Sequence, residues 1–109
     1  MRDIVLDTET TGLSPANGDR IVEIGCVELV NFIPTGWTFQ KYLDPEMPMP
    51  FEAQQIHGLS DDFLRGKPKF SEIADEFLDF IKDAQVIAHN AKFDVGFLNA
   101  ELALAGRSF

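Results

Sequence analysis

Ile4-Val5-Leu6-Asp7-Thr8-Glu9-Thr10-Thr11-Gly12-Leu13 is the stretch on which the reading of this chain turns. Ile4-Val5-Leu6 is an apolar, partly β-branched run of the kind found in the middle of a sheet. Thr11-Gly12-Leu13-Ser14-Pro15 and the turn-prone Asn17-Gly18-Asp19 then bring the strand to an end. A strand over 4–9 puts Asp7 and Glu9 on one face with Val5, while Ile4 and Leu6 face the other way. Strand rise separates the two acidic Cα atoms by about 6.6 Å, close enough for both carboxylates to converge on one small cation. Without a cation the two anions repel and raise each other's pKa. The segment also allows a plainer reading, in which both acids lie solvated past the sheet edge and Asp7 bonds turn amides.

Outward from this strand, Ile21 to Val30 alternates and is rich in β-branched residues, which predicts a second strand. Pro34-Thr35-Gly36 is expected to turn the chain into a third strand, Trp37 to Leu43, completing an antiparallel meander. The prolines between Asp44 and Pro50 exclude ladder and helix alike. A short helix is expected over Phe51–Ile56, stopped by Gly58, and Ser60 can cap a further turn carrying Asp61 and Asp62. Phe70, Ile73, Ala74, Phe77, Leu78 and Ile81 form one apolar helical stripe, with Glu72, Asp75, Glu76, Asp79 and Asp83 mostly on the solvated face. Val86-Ile87-Ala88 reads as a short buried strand, and Phe93 to Ala105 as a last helix ended by Gly106. The fold class is therefore α/β, a mixed sheet with helices packed on it.

Composition narrows the function. The chain has 109 residues, enough for one domain or part of one, and 45% of them are hydrophobic. Eighteen Asp and Glu against nine Lys and Arg give a net charge of −9. No basic stripe is visible, which argues against a module that reads duplex DNA through its phosphates. It does not argue against an enzyme that meets phosphate with divalent cations, since such a site needs carboxylates. The single cysteine, Cys26, excludes an internal disulfide framework and suits a reducing compartment. No apolar run approaches a membrane span, and Met1-Arg2-Asp3-Ile4 carries an acid where a signal peptide would not. The expectation is a soluble cytoplasmic protein with no membrane partner.

A second acidic candidate stands in His89-Asn90-Ala91-Lys92-Phe93-Asp94. Asp94 falls near the positive end of the last helix, beside the Phe97 and Leu98 face that should pack on the sheet. Alone it reads as an acid favoured by the helix dipole. Together, Asp7-Thr8-Glu9-Thr10-Thr11-Gly12-Leu13 and His89-Asn90-Ala91-Lys92-Phe93-Asp94-Val95-Gly96-Phe97-Leu98, with Ile56-His57-Gly58-Leu59-Ser60 between them, closely resemble the DnaQ-like 3′–5′ exonucleases. The resemblance runs from Ile4 to Gly106. It implies an RNase H-like fold and four carboxylates holding two Mg²⁺ or Mn²⁺ ions, with Asp7, Glu9 and Asp94 as three of the four catalytic metal ligands. One ion would activate the attacking water and the other would stabilise the leaving 3′-oxygen. The resemblance further implies that Thr10, Leu13, His57, Asn90 and Phe93 bind substrate. It also implies two partners, a single-stranded or frayed DNA 3′ end and the catalytic subunit of a replicative polymerase. Read without it, Leu13 is a buried turn residue, Phe93 a core residue and His57 a helix C-terminal residue.

The family's third motif, a His followed five residues later by an Asp, has no counterpart after Asp94. His57…Asp62 precedes the second motif, and His89…Asp94 would use one aspartate twice. Residues 1–109 are therefore expected to be the N-terminal portion of a single exonuclease domain. They should be weakly active alone and expose apolar surface on the sheet. Three other readings accompany this one. An RNA-trimming or repair exonuclease of the same family is one, and a non-catalytic domain binding 3′ ends or a polymerase is another. The third is a haloacid-dehalogenase-like phosphatase, whose Asp-x-Asp pattern Glu9 breaks.

Overall fold

The computed structural model describes residues 1–109 and places β1 (Arg2–Thr10) inside a four-stranded sheet of order β3-β2-β1-β4. β2 (Ile21–Val30) and β3 (Ile33–Tyr42) complete the antiparallel meander, and β4 (Gln85–Ile87) joins β1 in parallel on its other side. The sheet is mixed, as the run of elements predicts. After the meander come α1 (Phe51–His57), α2 (Asp61–Leu64), α3 (Phe70–Ile81) and α4 (Ala91–Leu104). Gly58 closes α1 in the left-handed conformation at φ 73°, and the Ser60 hydroxyl accepts the Phe63 N–H at 3.1 Å to cap α2.

Two local expectations are corrected. The β2–β3 turn sits at Asn31 and Phe32, with φ of 52° and 67°, and not at Pro34-Thr35-Gly36. Two positive φ values match the twist of a two-residue hairpin; Asn suits them and Phe does not, so the local signal pointed elsewhere. Pro34 instead lies within β3, where the register shifts between Val27 and Leu29. On an edge strand its missing N–H breaks no second ladder. The short strand after α3 is not buried: Gln85 and Ile87 are exposed, and only Val86 packs against the core. As an edge strand, β4 is covered on the Val86 face alone.

One face of the sheet is dry. Ile4 and Leu6 from β1, Ile24 and Cys26 from β2 and Phe39 from β3 meet the apolar stripes of α3 and α4 there. The Phe39 ring lies 6.0 Å from Phe77 and 5.7 Å from Phe80, in tilted packing. Burying each such ring contributes about 1.5–3 kcal/mol. Burial also pushes the Cys26 thiol up to about 12, so it packs as an inert hydrophobe. A smaller cluster of Val22, Met49, Ala53 and Leu64 anchors α1 and α2 beside the start of β2. The opposite face of the sheet is open: Val5, Val27 and Ile87 are each 39% exposed.

Polar ties set how the helices lie. Arg2 donates to Glu28 Oε2 at 2.5 Å, to the Ile81 carbonyl at 2.9 Å and to the Phe80 carbonyl, clamping the end of α3 to the sheet. Glu101 of α4 is 2% exposed and accepts from Arg20 Nε at 2.9 Å, Arg20 Nη2 at 2.6 Å and the Ile21 N–H at 2.9 Å. Removing Glu101 leaves the buried Ile21 N–H and the partly buried Arg20 guanidinium without their acceptor. Glu101→Ala should therefore destabilise the fold by about 3–5 kcal/mol in urea titrations. A loss below about 1 kcal/mol would show that this tie does not hold α4.

Candidate active site

The β1–β2 register builds the first half of the site. Asp7 lies opposite Gly25, and Glu9 opposite Glu23, with the ladder slipping between Glu9 and Thr10. Alternation along β1 turns Ile4, Leu6 and Thr8 toward the helices, and Val5, Asp7 and Glu9 toward the open face. Gly25 leaves room beside Asp7, since nothing lies within 4 Å of where its Cβ would stand. The result is a cleft of about 90 Å³ lined by no hydrophobic residue, formed by Asp7, Thr8, Glu9, Glu23 and Gly25. Gln40 Nε2 donates to Glu23 Oε2 at 2.9 Å and steadies that wall. Sequence reasoning passed over Glu23 and Gly25. Strand alternation puts both on the polar face, but only the register sets them against Glu9 and Asp7.

Asp94 approaches from the helix side. It occupies the first turn of α4, is 5% exposed, and accepts the Thr8 hydroxyl at 2.5 Å. Burial raises its pKa and the Asp7 charge raises it further, against the Thr8 bond and His89. Glu9 is likewise raised, first by burial and then by Asp7, with Glu23 and Asp94 adding and His57 opposing. The carboxylates thus feel one another across the end of β1. They are not gathered into a ligand cluster: no three His, Cys, Asp or Glu side chains stand at metal-holding spacing. As donors, though, they fit a hard divalent cation. All are carboxylate oxygens, they crowd like charge that a cation would relieve, and Gly25 keeps a small space open beside Asp7.

The loop after β1 is rigidly tied. Thr10 Oγ1 donates to the Gly12 carbonyl at 2.6 Å, and Thr11 Oγ1 donates to Asp19 Oδ1 at 3.0 Å. Asp19 Oδ2 accepts the Ser14 N–H at 3.2 Å. A Cβ on Gly12 would stand 2.4 Å from Asp19 Oδ2, so only glycine fits while that carboxylate holds the loop. The tied loop presents Leu13, 84% exposed, to solvent. A buried turn residue it is not.

His57 Nδ1 accepts the Leu59 N–H at 3.0 Å, so Nε2 carries the proton and donates to the Thr10 carbonyl at 3.2 Å. The end of α1 is thereby joined to the end of β1, next to Glu9. Leu13, Asn90 and Phe93 share a groove of about 340 Å³ with Pro15, Lys92, Gly96 and Phe97. Phe93 also packs on Phe97, ring centroids 4.9 Å apart, so it serves core and groove together. Of the residues singled out in the sequence, Asp7, Glu9, Thr10 and His57 stand at the C-terminal end of β1. Asp94 backs them from the helix side, and Leu13, Asn90 and Phe93 stand in the groove beside them.

The chain matches the RNase_T family, described as Exonuclease, over residues 4–108. The DNA polymerase III subunit epsilon of Rickettsia conorii is 57% identical over 108 residues, covering 99% of this chain and 47% of that protein. The Escherichia coli K12 subunit of the same name is 48% identical over 110 residues, covering 97% and 45%. The chain therefore spans about half the length of the curated relatives it matches. Among solved structures, the zinc-bound complex of E. coli exonuclease I with single-stranded DNA superposes with a TM-score of 0.88 at 18% identity, over 98% of this chain and 24% of that one. The product-bound form of exonuclease I gives 0.84, also at 18% identity, over 98% and 26%. At that identity the likeness is one of fold, a mixed sheet of the RNase H type flanked by helices. With a family match that spans nearly every residue described and takes in both acidic segments, this chain belongs to the RNase_T exonuclease family.

Proposed function

We propose that this chain forms the carboxylate-bearing part of a metal-dependent 3′–5′ exonuclease that removes nucleoside 5′-monophosphates from DNA 3′ ends, as the proofreading component of a replicative polymerase. The observation that carries the reading is the pairing of Asp7 and Glu9 on the open face at the C-terminal end of β1, with Gly25 opposite. DNA is favoured over RNA because the relatives that match are named as DNA polymerase subunits. A haloacid-type phosphatase is set aside by the family match.

In this reading Asp7, Glu9 and Asp94 hold Mg²⁺ or Mn²⁺. Bound divalent ions would supply Lewis-acid stabilisation of the phosphoryl oxygens and a nucleophilic water at neutral pH. The remaining work belongs to the chain. Thr8 holds the Asp94 carboxylate in place at the end of β1. Thr10 and the backbone around Glu9 face the terminal 3′-hydroxyl, and His57 fixes that backbone through the Thr10 carbonyl. Leu13, on its tied loop, lies against the last base, while Asn90 and Phe93 shape the groove beyond. Attack by water on phosphorus with loss of the 3′-oxygen of the preceding nucleotide then releases one 5′-monophosphate.

The reading is tested on the full-length protein with a 5′-labelled single-stranded DNA oligonucleotide and Mg²⁺ or Mn²⁺. Stepwise shortening from the 3′ end is expected, abolished by EDTA. Asp7→Asn should lower kcat by about 10²–10³-fold or more, the scale of losing one transition-state charge stabiliser. Undiminished turnover by that variant, or a phosphorylated Asp7 trapped in acid, would sink the proposal.

A thermal experiment follows from the crowded carboxylates. Because Glu9 and Asp94 have raised pKa values, the folded protein binds their protons more tightly than the unfolded chain does. The resulting penalty is full at pH 7 and is relieved as pH falls through the raised values toward the ordinary carboxylate range near 4. In EDTA at pH 7, Asp94→Asn, which can still accept from Thr8, should raise Tm by about a few degrees. The gap should narrow on acidification, and Mg²⁺ should reverse the order by stabilising the wild type alone. A gap that ignores both pH and Mg²⁺ would contradict the assignment.

A further inference from the structure

Most basic side chains of this acidic protein are already committed. Arg2, Arg20, Lys41, Arg65, Lys69 and Arg107 each stand in an ion pair with a carboxylate. Lys67 lies over the Phe63 ring, 4.7 Å from its centroid. Lys82 follows the last turn of α3, beside Trp37 and the edge of β3. Lys92 is different. Like Lys67 and Lys82 it has no ion-pair partner, but it alone of the three lies in the groove that Leu13 and Phe93 line, exposed and two residues before Asp94.

We infer that Lys92 binds a backbone phosphate of the single strand upstream of the phosphate being cut, at the rim of the groove where the proposed function already sets a base against Leu13 and Phe93. The groove has the two parts such a track needs. Leu13 and the half-buried Phe93 offer apolar and aromatic surface, which suits the face of a base and suits a phosphate poorly. The ammonium group supplies the charge that the backbone requires. The Asn90 side chain makes no capping bond to α4, which leaves its amide available to the same strand. Charge complementarity makes the lysine matter more here than on a basic protein. A strand approaching Asp7, Glu9 and Asp94 meets net repulsion from a chain of charge −9, and Lys92 offsets it within the ~8–10 Å over which charge is felt at ordinary salt. Stacking tolerates any base, so the contact adds affinity without sequence preference.

The inference rests on the exonuclease reading only for which end of the strand points at the carboxylates. Its test separates the two. Binding of a short 5′-labelled oligothymidylate to the full-length protein is followed by fluorescence anisotropy across a salt series, and hydrolysis of the same strand is measured in parallel. Lys92→Ala should weaken binding roughly three- to tenfold at low salt. It should also flatten the plot of log K against log salt by about 0.7, one phosphate's worth for single strands. Lys92→Arg should restore the slope, and Lys82→Ala, away from the groove, should keep it. In hydrolysis the loss should fall on KM more than on kcat, because the contact is made before and during the reaction alike. An unchanged slope in Lys92→Ala, or an equal change in Lys82→Ala, overturns the assignment. Salt-dependent binding through Lys92 with no hydrolysis by the wild type would uphold the phosphate contact and overturn the exonuclease reading instead.

Discussion

The Glu101 carboxylate, buried beneath α4 and gripping Arg20 and the Ile21 N–H, sets where that helix lies on the sheet. Asp94 stands seven residues earlier, two turns and about 10.5 Å along the same face. With Glu101 fixed at the start of β2, the helix has one placement in which Phe97, Leu98 and Leu102 fill the core. That placement delivers Asp94 to the Thr8 hydroxyl. A buried ion pair contributes little net stability, because its desolvation cost nearly cancels its attraction. Its value here is positional: it excludes the register in which Asp94 would miss the end of β1.

The same arrangement explains what could be read in the sequence and what could not. α3 carries a clean period of 3.6 and spans the predicted stripe, whereas β1, expected over 4–9, runs from Arg2 to Thr10, past its apolar run at both ends. The sheet-facing side of α4 interleaves Asp94 and Glu101 with its apolar residues, which blurs the helical pattern. Glu101 was invisible as a structural residue for that reason. Its donors lie some eighty positions away, and nothing local announces them. Glu23 and Gly25 are hidden in a similar way, since a strand's alternation says which face a residue takes but not what stands opposite. The Asn31-Phe32 turn escaped because a phenylalanine at positive φ runs against intrinsic preference, and only the paired strands impose it.

The acidic segments were legible because they break the rules of the elements that carry them. An anion at the end of an apolar central strand is hard to explain by packing, and a second one on the same face is harder. Either segment alone has a plain structural use, as a turn partner or a helix-dipole acid. Only their conjunction carries the family signal, and the structure shows the physical sense of it. β1 and the N-terminal turn of α4 end at the same corner of the sheet, so residues far apart in sequence share one electrostatic environment.

Within that environment the carboxylates divide by the direction in which their acidity moves. Arg2 beside Glu28 and Arg107 beside Asp75 hold those carboxyls below their usual range. Such groups are satisfied by the protein's own cations and are at their most stable when charged. Glu9 and Asp94 move the other way, because burial and the neighbouring Asp7 disfavour their charge and no arginine answers them. In a chain that places six of its nine basic residues in ion pairs, leaving this corner unanswered is a distinction between two kinds of acid. One kind holds the fold together. The other keeps negative charge at a cost to the fold, a cost that a bound divalent cation would relieve. Glu9 and Asp94 are acids of this second kind, and they stand at the end of β1 beside the groove that Lys92 lines.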